Sequence, residues 1–265
     1  MKSEENNRFL NCATVMWRVI VAVILRETKT RFGKHKMGYL WALIEPMSYV
    51  GVLIVVRTFM HASIPFGESV VLFLLTGILT FRLFTSISKR ATSSISANQA
   101  LLTYPIVKPV DTIFARLILE SVTMLVVFFI FFTLLGLVVK GHVVHNPPEF
   151  AAALCATIFL AFGVGAFNAV LSILVPTWER IWSIVAGLPL LILSAVFYIP
   201  KSLPPTAQLI LSWNPVLNCI EWLRYATYLD YDPLLNRTYV IYFSAVFFVT
   251  GLVLERTYRH ILVRS

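Results

Sequence analysis

The chain has 265 residues, 58% of them hydrophobic and only 13% charged, with a net charge of +9. Soluble domains carry roughly a quarter charged residues, so this balance excludes an ordinary soluble enzyme or binding module and points to an all-α membrane protein with many spans. The positive excess would suggest nucleic acid in a soluble protein; here membrane topology accounts for it, and no nucleic-acid partner is expected.

The N-terminal MKSEENNRF is polar, and no short apolar core with a cleavage site follows it, so no signal peptide is expected. Residues 13–25 are apolar but too short to span and include Arg18, and the basic run 26–36 follows at once. Residues 1–37 therefore read as a cytoplasmic N-terminus with a helix lying in the interface on anionic membrane lipid. The plainer reading is a positive flank that only sets topology. A bilayer core needs roughly 20 apolar residues per helix. Six segments reach that length: 38–60, 69–88, 112–139, 150–175, 181–199 and 239–255. Residues 38–255 are expected to form one six-span domain, followed by a tail over 256–265.

An even number of spans puts both termini on one side, and Lys and Arg decide which. Lys2, Arg8, Arg18, Arg26, Lys29, Arg31, Lys34, Lys36, Lys89, Arg90, Lys108, Arg116, Arg180, Arg256, Arg259 and Arg264 fall on one side; Lys140, Lys201, Arg224 and Arg237 fall on the other. Both termini are therefore expected in the cytoplasm, and residues 200–236 outside. The cytoplasmic loop 89–111 contains a stretch, 97–104, that reads as one short helix before Pro105. Asp111 is the expected N-cap of the third span, and Arg116 and Glu120 are spaced to pair along it.

Three charges lie inside the first two spans, Glu45, Arg57 and Arg82, and two of them lie deep on the cytoplasmic side. Glu45 is about seven residues into the first and Arg82 about six before the end of the second, so both sit roughly 10 Å below the inner boundary. Charges at that depth pair or face a watery cavity, and Glu45 and Arg82 are expected to pair within one subunit. The alternative is that Arg82 snorkels to the interface while Glu45 contacts the helix ends near Pro46.

Outside the spans, chemistry is sparse. His142 and His145 are two loop histidines, which do not make a metal site. Cys12, Cys155 and Cys219 are far apart and read as buried thiols. Residues 236–238 match a glycosylation sequon. No GxxxxGK[ST], GxSxG or HExxH motif occurs. The chain is expected to bind no cofactor and to be no enzyme by itself; it moves or anchors something.

Residues 213–232, WNPVLNCIEWLRYATYLDYD, are too polar to span and too apolar for a solvated loop. Pro200, Pro204 and Pro205 break the chain before them, Asn214-Pro215 breaks it again, and short helices are expected over 206–213 and 216–229. Backbone breaks at membrane depth require cover by protein or a watery cavity. Trp222, Tyr225 and Tyr228 recur every three residues as one broad stripe, and Glu221 and Arg224 are spaced to pair. The aromatic groups, Trp213 included, read either as a belt at the outer interface or as the lining of a path through the membrane.

Four features together carry a resemblance: LRETKTRFGKHKMGYLWALIEP (25–46), SSISANQALLTYPIVKPVDTIFARLILE (93–120), WNPV (213–216) and the six-span plan. The chain resembles the membrane subunit of ABC-2 type exporters, in particular the KpsM-type subunit of group 2 capsular polysaccharide exporters of Gram-negative bacteria. The resemblance covers nearly the whole chain. It implies a multi-pass permease of the bacterial inner membrane and a periplasmic re-entrant helical hairpin before the last span. It further implies a homodimer bound to two copies of a separate ATPase subunit, which would bind ATP and Mg, and a periplasmic co-polymerase partner. The implied cargo is a lipid-linked acidic polysaccharide. Residues implied to meet the ATPase are Arg26, Lys29, Arg31, Asn98, Gln99 and Tyr104; those set on the substrate path are Glu45, Arg82, Trp213, Trp222, Tyr225 and Tyr228. Exporters of O-antigen, teichoic acid or drugs share the plan. An ion-coupled secondary transporter would show internal repeats and midplane acids, and a membrane scaffold would need no deep charges.

Overall fold

The computed structural model describes residues 2–32, 44, 48, 51–52, 55, 66–67, 69–138 and 143–263. Besides the isolated helical positions 44, 48, 51–52 and 55, the described residues form eleven α-helical segments: α1 (Lys2–Phe32), α2 (Val70–Thr92), α3 (Ser94–Ala97), α4 (Gln99–Leu102), α5 (Pro109–Val138), α6 (Pro147–Leu174), α7 (Trp178–Val185), α8 (Leu188–Leu193), α9 (Pro205–Ser212), α10 (Pro215–Thr227) and α11 (Arg237–Leu262). Four of these, α2, α5, α6 and α11, are long and apolar enough to cross a membrane. They match the expected spans 69–88, 112–139, 150–175 and 239–255. The expected first span, 38–60, lies outside the described residues but for isolated positions.

Each long helix is started by local chemistry. Ser69 accepts from the Leu72 amide at 3.3 Å to cap α2, and Lys89 and Arg90 occupy its last turn, where cations suit the helix dipole. Asn146 accepts from the Glu149 amide ahead of Pro147 and Pro148. Asn236 accepts from the Tyr239 amide at 3.0 Å to start α11. For α5 the expectation is corrected. Asp111 is not the N-cap: α5 begins at Pro109, and the Asp111 carboxylate accepts from the Lys108 amide at 2.9 Å. Lys108 is thus the cap and Asp111 reaches back to it, as in a capping box, because proline at the first helical position fits where no amide partner is required. The expected single helix over 97–104 is likewise two single turns, α3 and α4, separated at Asn98.

Helix α6 is the hub, packing most extensively on α11 and α2 and then on α10. Its contact with α11 is a backbone-to-backbone approach. A Cβ added at Gly163 would lie 2.5 Å from the Ser244 carbonyl oxygen, and one at Gly251 would lie 2.7 Å from the Phe167 amide nitrogen. Small residues permit this closeness, which membrane helices use for packing where hydrophobicity alone cannot favour association. The outer faces are apolar stripes at helical spacing: Val122, Val126 and Phe129 on α5, and Tyr242, Val246, Val249 and Val253 on α11 are exposed.

The expected continuous span over 181–199 is broken. α7 ends at Val185, α8 runs only to Leu193, and residues 194–199 are not α-helical. Ala195 has φ of 54°, the one positive-φ non-glycine residue among the described residues. The hydropathy is right for a span, but Gly187 and Pro189 interrupt the helix, and a distant side chain takes up the carbonyls beyond it.

Candidate functional site

At the end of the bundle that carries α1, α3 and α4, one carboxylate joins three elements. Helix α1 docks on α5 through Ile20 and Val23 against Ala115, while Val15, Trp17 and Leu25 remain exposed. Beside this contact, Glu27 Oε1 accepts from Arg116 Nε at 2.8 Å and from Asn98 Nδ2 at 2.6 Å. Arg116 Nη1 also donates to the carbonyls of Arg90 and Ser93 and to the Ser93 hydroxyl. Arg26 Nη1 donates to Asn98 Oδ1 at 3.4 Å. The local Arg116–Glu120 pair expected from spacing is therefore replaced: Arg116 reaches across to Glu27, and Glu120 faces Arg90 at 4.0 Å. A two-helix bridge satisfies a half-buried carboxylate that a surface pair along one helix would leave to water.

Of the residues implied to meet an ATPase, Asn98 is 2% exposed and holds the cluster together instead of facing outward. Gln99 and Tyr104 are exposed, Tyr104 strongly, with Ile106 beside it. Arg26 and Lys29 are exposed on α1, and the side chain of Arg31 lies outside the described ones.

Near the opposite end of α2, α10 contributes a fully buried ion pair. Arg224 Nη1 lies 3.3 Å from Glu221 Oε1, both side chains at 0% exposure, as their spacing predicts. The pair does more than neutralise itself. Arg224 donates to the carbonyls of Ala195 (2.9 Å), Val196 (2.8 Å) and Tyr198 (3.2 Å), which are the carbonyls of the unwound segment after α8. Its guanidinium carbon sits 3.8 Å from the centre of the Phe73 ring. Glu221 accepts from the Tyr231 hydroxyl at 2.7 Å and the Leu234 amide at 3.1 Å, on the segment that follows α10. Burial pushes the Glu221 carboxyl above the usual carboxylate range against the pull of Arg224, and burial with Glu221 alongside pushes the Tyr231 hydroxyl upward. One side-chain pair thus braces two irregular segments. Gly77 makes room for it: a Cβ there would lie 2.9 Å from the Val196 oxygen and 3.0 Å from Arg224 Nη2.

The starts of α6 and α11 are pinned to the same helix. The Asn146 amide donates to the Ala226 carbonyl and the Asn236 amide to Asn218 Oδ1. Glu149 accepts from Trp222 Nε1 at 2.7 Å and from Arg237 Nη1 at 2.8 Å. Cys219, wholly buried, has its thiol pushed up to about 12 by burial, against the pull of a hydrogen bond with Thr157. We expect maleimide to leave Cys219 unlabelled in the folded protein and to label it once SDS unfolds the chain, read by mass spectrometry.

The aromatic residues set on the substrate path do not form one stripe. Trp222 is 5% and Tyr228 9% exposed, both packed inside, while Tyr225 is 37% exposed. Packing breaks the stripe: Trp222 is drawn inward by its hydrogen bond to Glu149 at the start of α6. Tyr228 also lies past the end of α10, packing on Phe66 and Tyr231. Trp213 is 71% exposed and meets Tyr239 edge-on. Arg82 is half-buried on α2, and its proposed partner Glu45 lies outside the described residues. Sequence reasoning missed Glu27, Glu149, Asn218 and Tyr231. The Asn-Pro-Pro-Glu helix start flags Glu149 as near a terminus; nothing local flags Glu27, whose partners are about 70–90 positions away.

The sequence profile of the ABC-2 type transporter family matches residues 18–228. The chain is 33% identical over 93% of its length to the polysialic acid transport protein KpsM of Escherichia coli, covering 95% of that protein. It is 27% identical to the capsule polysaccharide export inner-membrane protein BexB of Haemophilus influenzae, over 87% of this chain and 86% of that one. It is 27% identical to the capsule polysaccharide export inner-membrane protein CtrC of Neisseria meningitidis serogroup B, over 95% of each.

Proposed function

The chain belongs to the ABC-2 type transporter family, and from that premise we propose that it is the permease subunit of an ATP-driven exporter moving lipid-linked capsular polysaccharide across the bacterial inner membrane. The observation that carries this reading is similarity to capsule-export proteins along almost the whole chain, in several bacteria. The missing phosphate loop agrees, since hydrolysis then belongs to a separate ATPase subunit. Deleting the gene should leave polysaccharide inside the cell and off its surface, and the gene in trans should restore surface capsule. Loss of O-antigen with capsule intact would reassign the cargo.

In this reading the segment 38–60 and the broken α7–α8 pair are the two further crossings, both termini are cytoplasmic, and α9–α10 is a re-entrant hairpin on the periplasmic side. The broken backbone of 194–199 supports it, because such a break at membrane depth needs protein cover. The subunit acts as a homodimer: six helices leave little room for a sugar-wide path, and twelve about a two-fold axis can leave one. Two ATPase subunits and a periplasmic co-polymerase complete the assembly. Glu45 and Arg82 mark the path's entry, and Trp213 and Tyr225 are the aromatic residues exposed enough to meet sugar at its exit.

The exposed tip Gln99–Tyr104–Ile106 is the surface offered to the ATPase. A cysteine at Gln99 should cross-link to one on the ATPase subunit, whereas a cysteine at buried Asn98 should not. Labelling of Gln99→Cys from the periplasm alone would overturn the topology.

A further inference from the structure

At the end of the bundle opposite the α3–α4 turns, one guanidinium is held by two other helices. Arg237, in the first turn of α11, donates from Nη1 to Glu149 Oε1 at 2.8 Å. Its guanidinium carbon lies 5.3 Å from the ring centres of both Trp222 and Tyr225 on α10. Glu149 is fixed in turn, because its second oxygen accepts from Trp222 Nε1 at 2.7 Å. Among the described residues Glu149 is the one hydrogen-bond partner of Arg237, whose side chain stays 42% exposed. A guanidinium carries five donors, so the fork of Nε and Nη2 is left uncommitted.

Lys and Arg are scarce on the side expected outside. Of the other cations there, Arg224 is wholly buried, Lys201 pairs with Asp232, and Lys140 lies outside the described residues. An ordinary surface arginine loses rotamer freedom when a ligand fixes it. The contacts to α6 and α10 hold Arg237 in place beforehand, so less is lost on binding. A guanidinium fork matches a planar carboxylate through two parallel hydrogen bonds. The half-exposed Tyr225 ring beside it suits the C–H face of a sugar. Glu149 offsets part of the positive charge, so a bare anion is held weakly and the ring contact has to add to the fork. We propose that Arg237 and Tyr225 form an outer subsite for one acidic sugar residue of the exported chain. Its carboxylate accepts from Nε and Nη2 of Arg237, and its ring lies against Tyr225. Resting on the export reading, this subsite grips the chain one residue at a time, which suits a polymer that must slide.

The full-length chain, purified with its ATPase in detergent, is titrated with oligogalacturonate, with the same oligomer fully methyl-esterified, and with dihexanoyl phosphatidylglycerol. Saturation-transfer NMR reads binding, and the thermal midpoint reads folding. Oligogalacturonate should bind. The ester, which keeps the rings and loses the charge, should bind about tenfold more weakly. Arg237→Gln should bring the acid down to the level of the ester, and Arg237→Lys, which keeps the charge without the fork, should fall between. Tyr225→Leu should weaken acid and ester alike. The acid–ester comparison needs only the parent protein, so it stands even if a variant fails to fold. Equal binding of acid and ester by the parent would overturn the subsite, as would a preference that survives Arg237→Gln. Binding of the phosphatidylglycerol through Arg237 with none of the oligogalacturonate would overturn it too, assigning the fork to a lipid phosphate. If any of these results accompanies loss of surface capsule on gene deletion, the subsite falls and the export reading stands. Capsule retained after deletion removes the export reading, and the subsite with it, whatever Arg237 binds.

Discussion

Replacing Arg224 by leucine should destabilise the protein by about 3–5 kcal/mol and lower its thermal midpoint by roughly 10 °C. Leucine leaves Glu221 buried without its cation and strips the carbonyls of Ala195, Val196 and Tyr198 of their donor. Each unsatisfied buried carbonyl alone costs about 1–3 kcal/mol. Arg224→Lys keeps the charge but not the planar fork that reaches three carbonyls, so it should fall between. Adding Glu221→Leu to Arg224→Leu should return the part due to the unpaired charge and not the part due to the carbonyls. Melting of detergent-purified protein, followed by fluorescence-detected size exclusion, measures all three. An Arg224→Leu protein that melts with the parent would show that water already serves those carbonyls.

Gly163→Val and Gly251→Val should each cost about 1–3 kcal/mol through overpacking, with a smaller share of monodisperse protein after purification. The atoms that a Cβ would strike are backbone, the Ser244 oxygen and the Phe167 nitrogen, so no side chain can swing away. Relief requires α6 and α11 to separate along the most extensive helix contact in the fold. Gly136→Ala is the matched control: its Cβ would meet only Val143 Cγ2 at 3.6 Å, an ordinary contact, and it should be neutral or slightly stabilising. Equal losses at all three positions would show that backbone freedom, and not helix approach, sets the effect.

What could be read along the chain was whatever depends on neighbours a few residues away. Apolar runs gave α2, α5 and α6 to within a few residues, and α11 but for its last two turns, because a helix in lipid satisfies its own backbone. Proline and Asn-Pro signals gave the breaks around α9 and α10, and i,i+3 spacing gave the Glu221–Arg224 pair. The tertiary structure decided the rest, through contacts that no spacing encodes. Arg116 chose Glu27, 89 positions away, over Glu120 at four, because docking of α1 puts a half-buried carboxylate within 2.8 Å. The run 181–199 reads as one span by hydropathy, which counts transfer of side chains and is blind to backbone. It unwinds after Leu193 because Arg224, 26–29 positions further on, supplies the donors that a continuing helix would otherwise supply to its own carbonyls. Trp222 and Tyr228 read as a surface stripe until packing turned them inward against Glu149 and Phe66. The sequence by itself determined which segments are helical and apolar enough for a membrane; only the fold decided which polar side chains meet, since hydrogen bonds and charges act over a few ångströms in space and not along the chain.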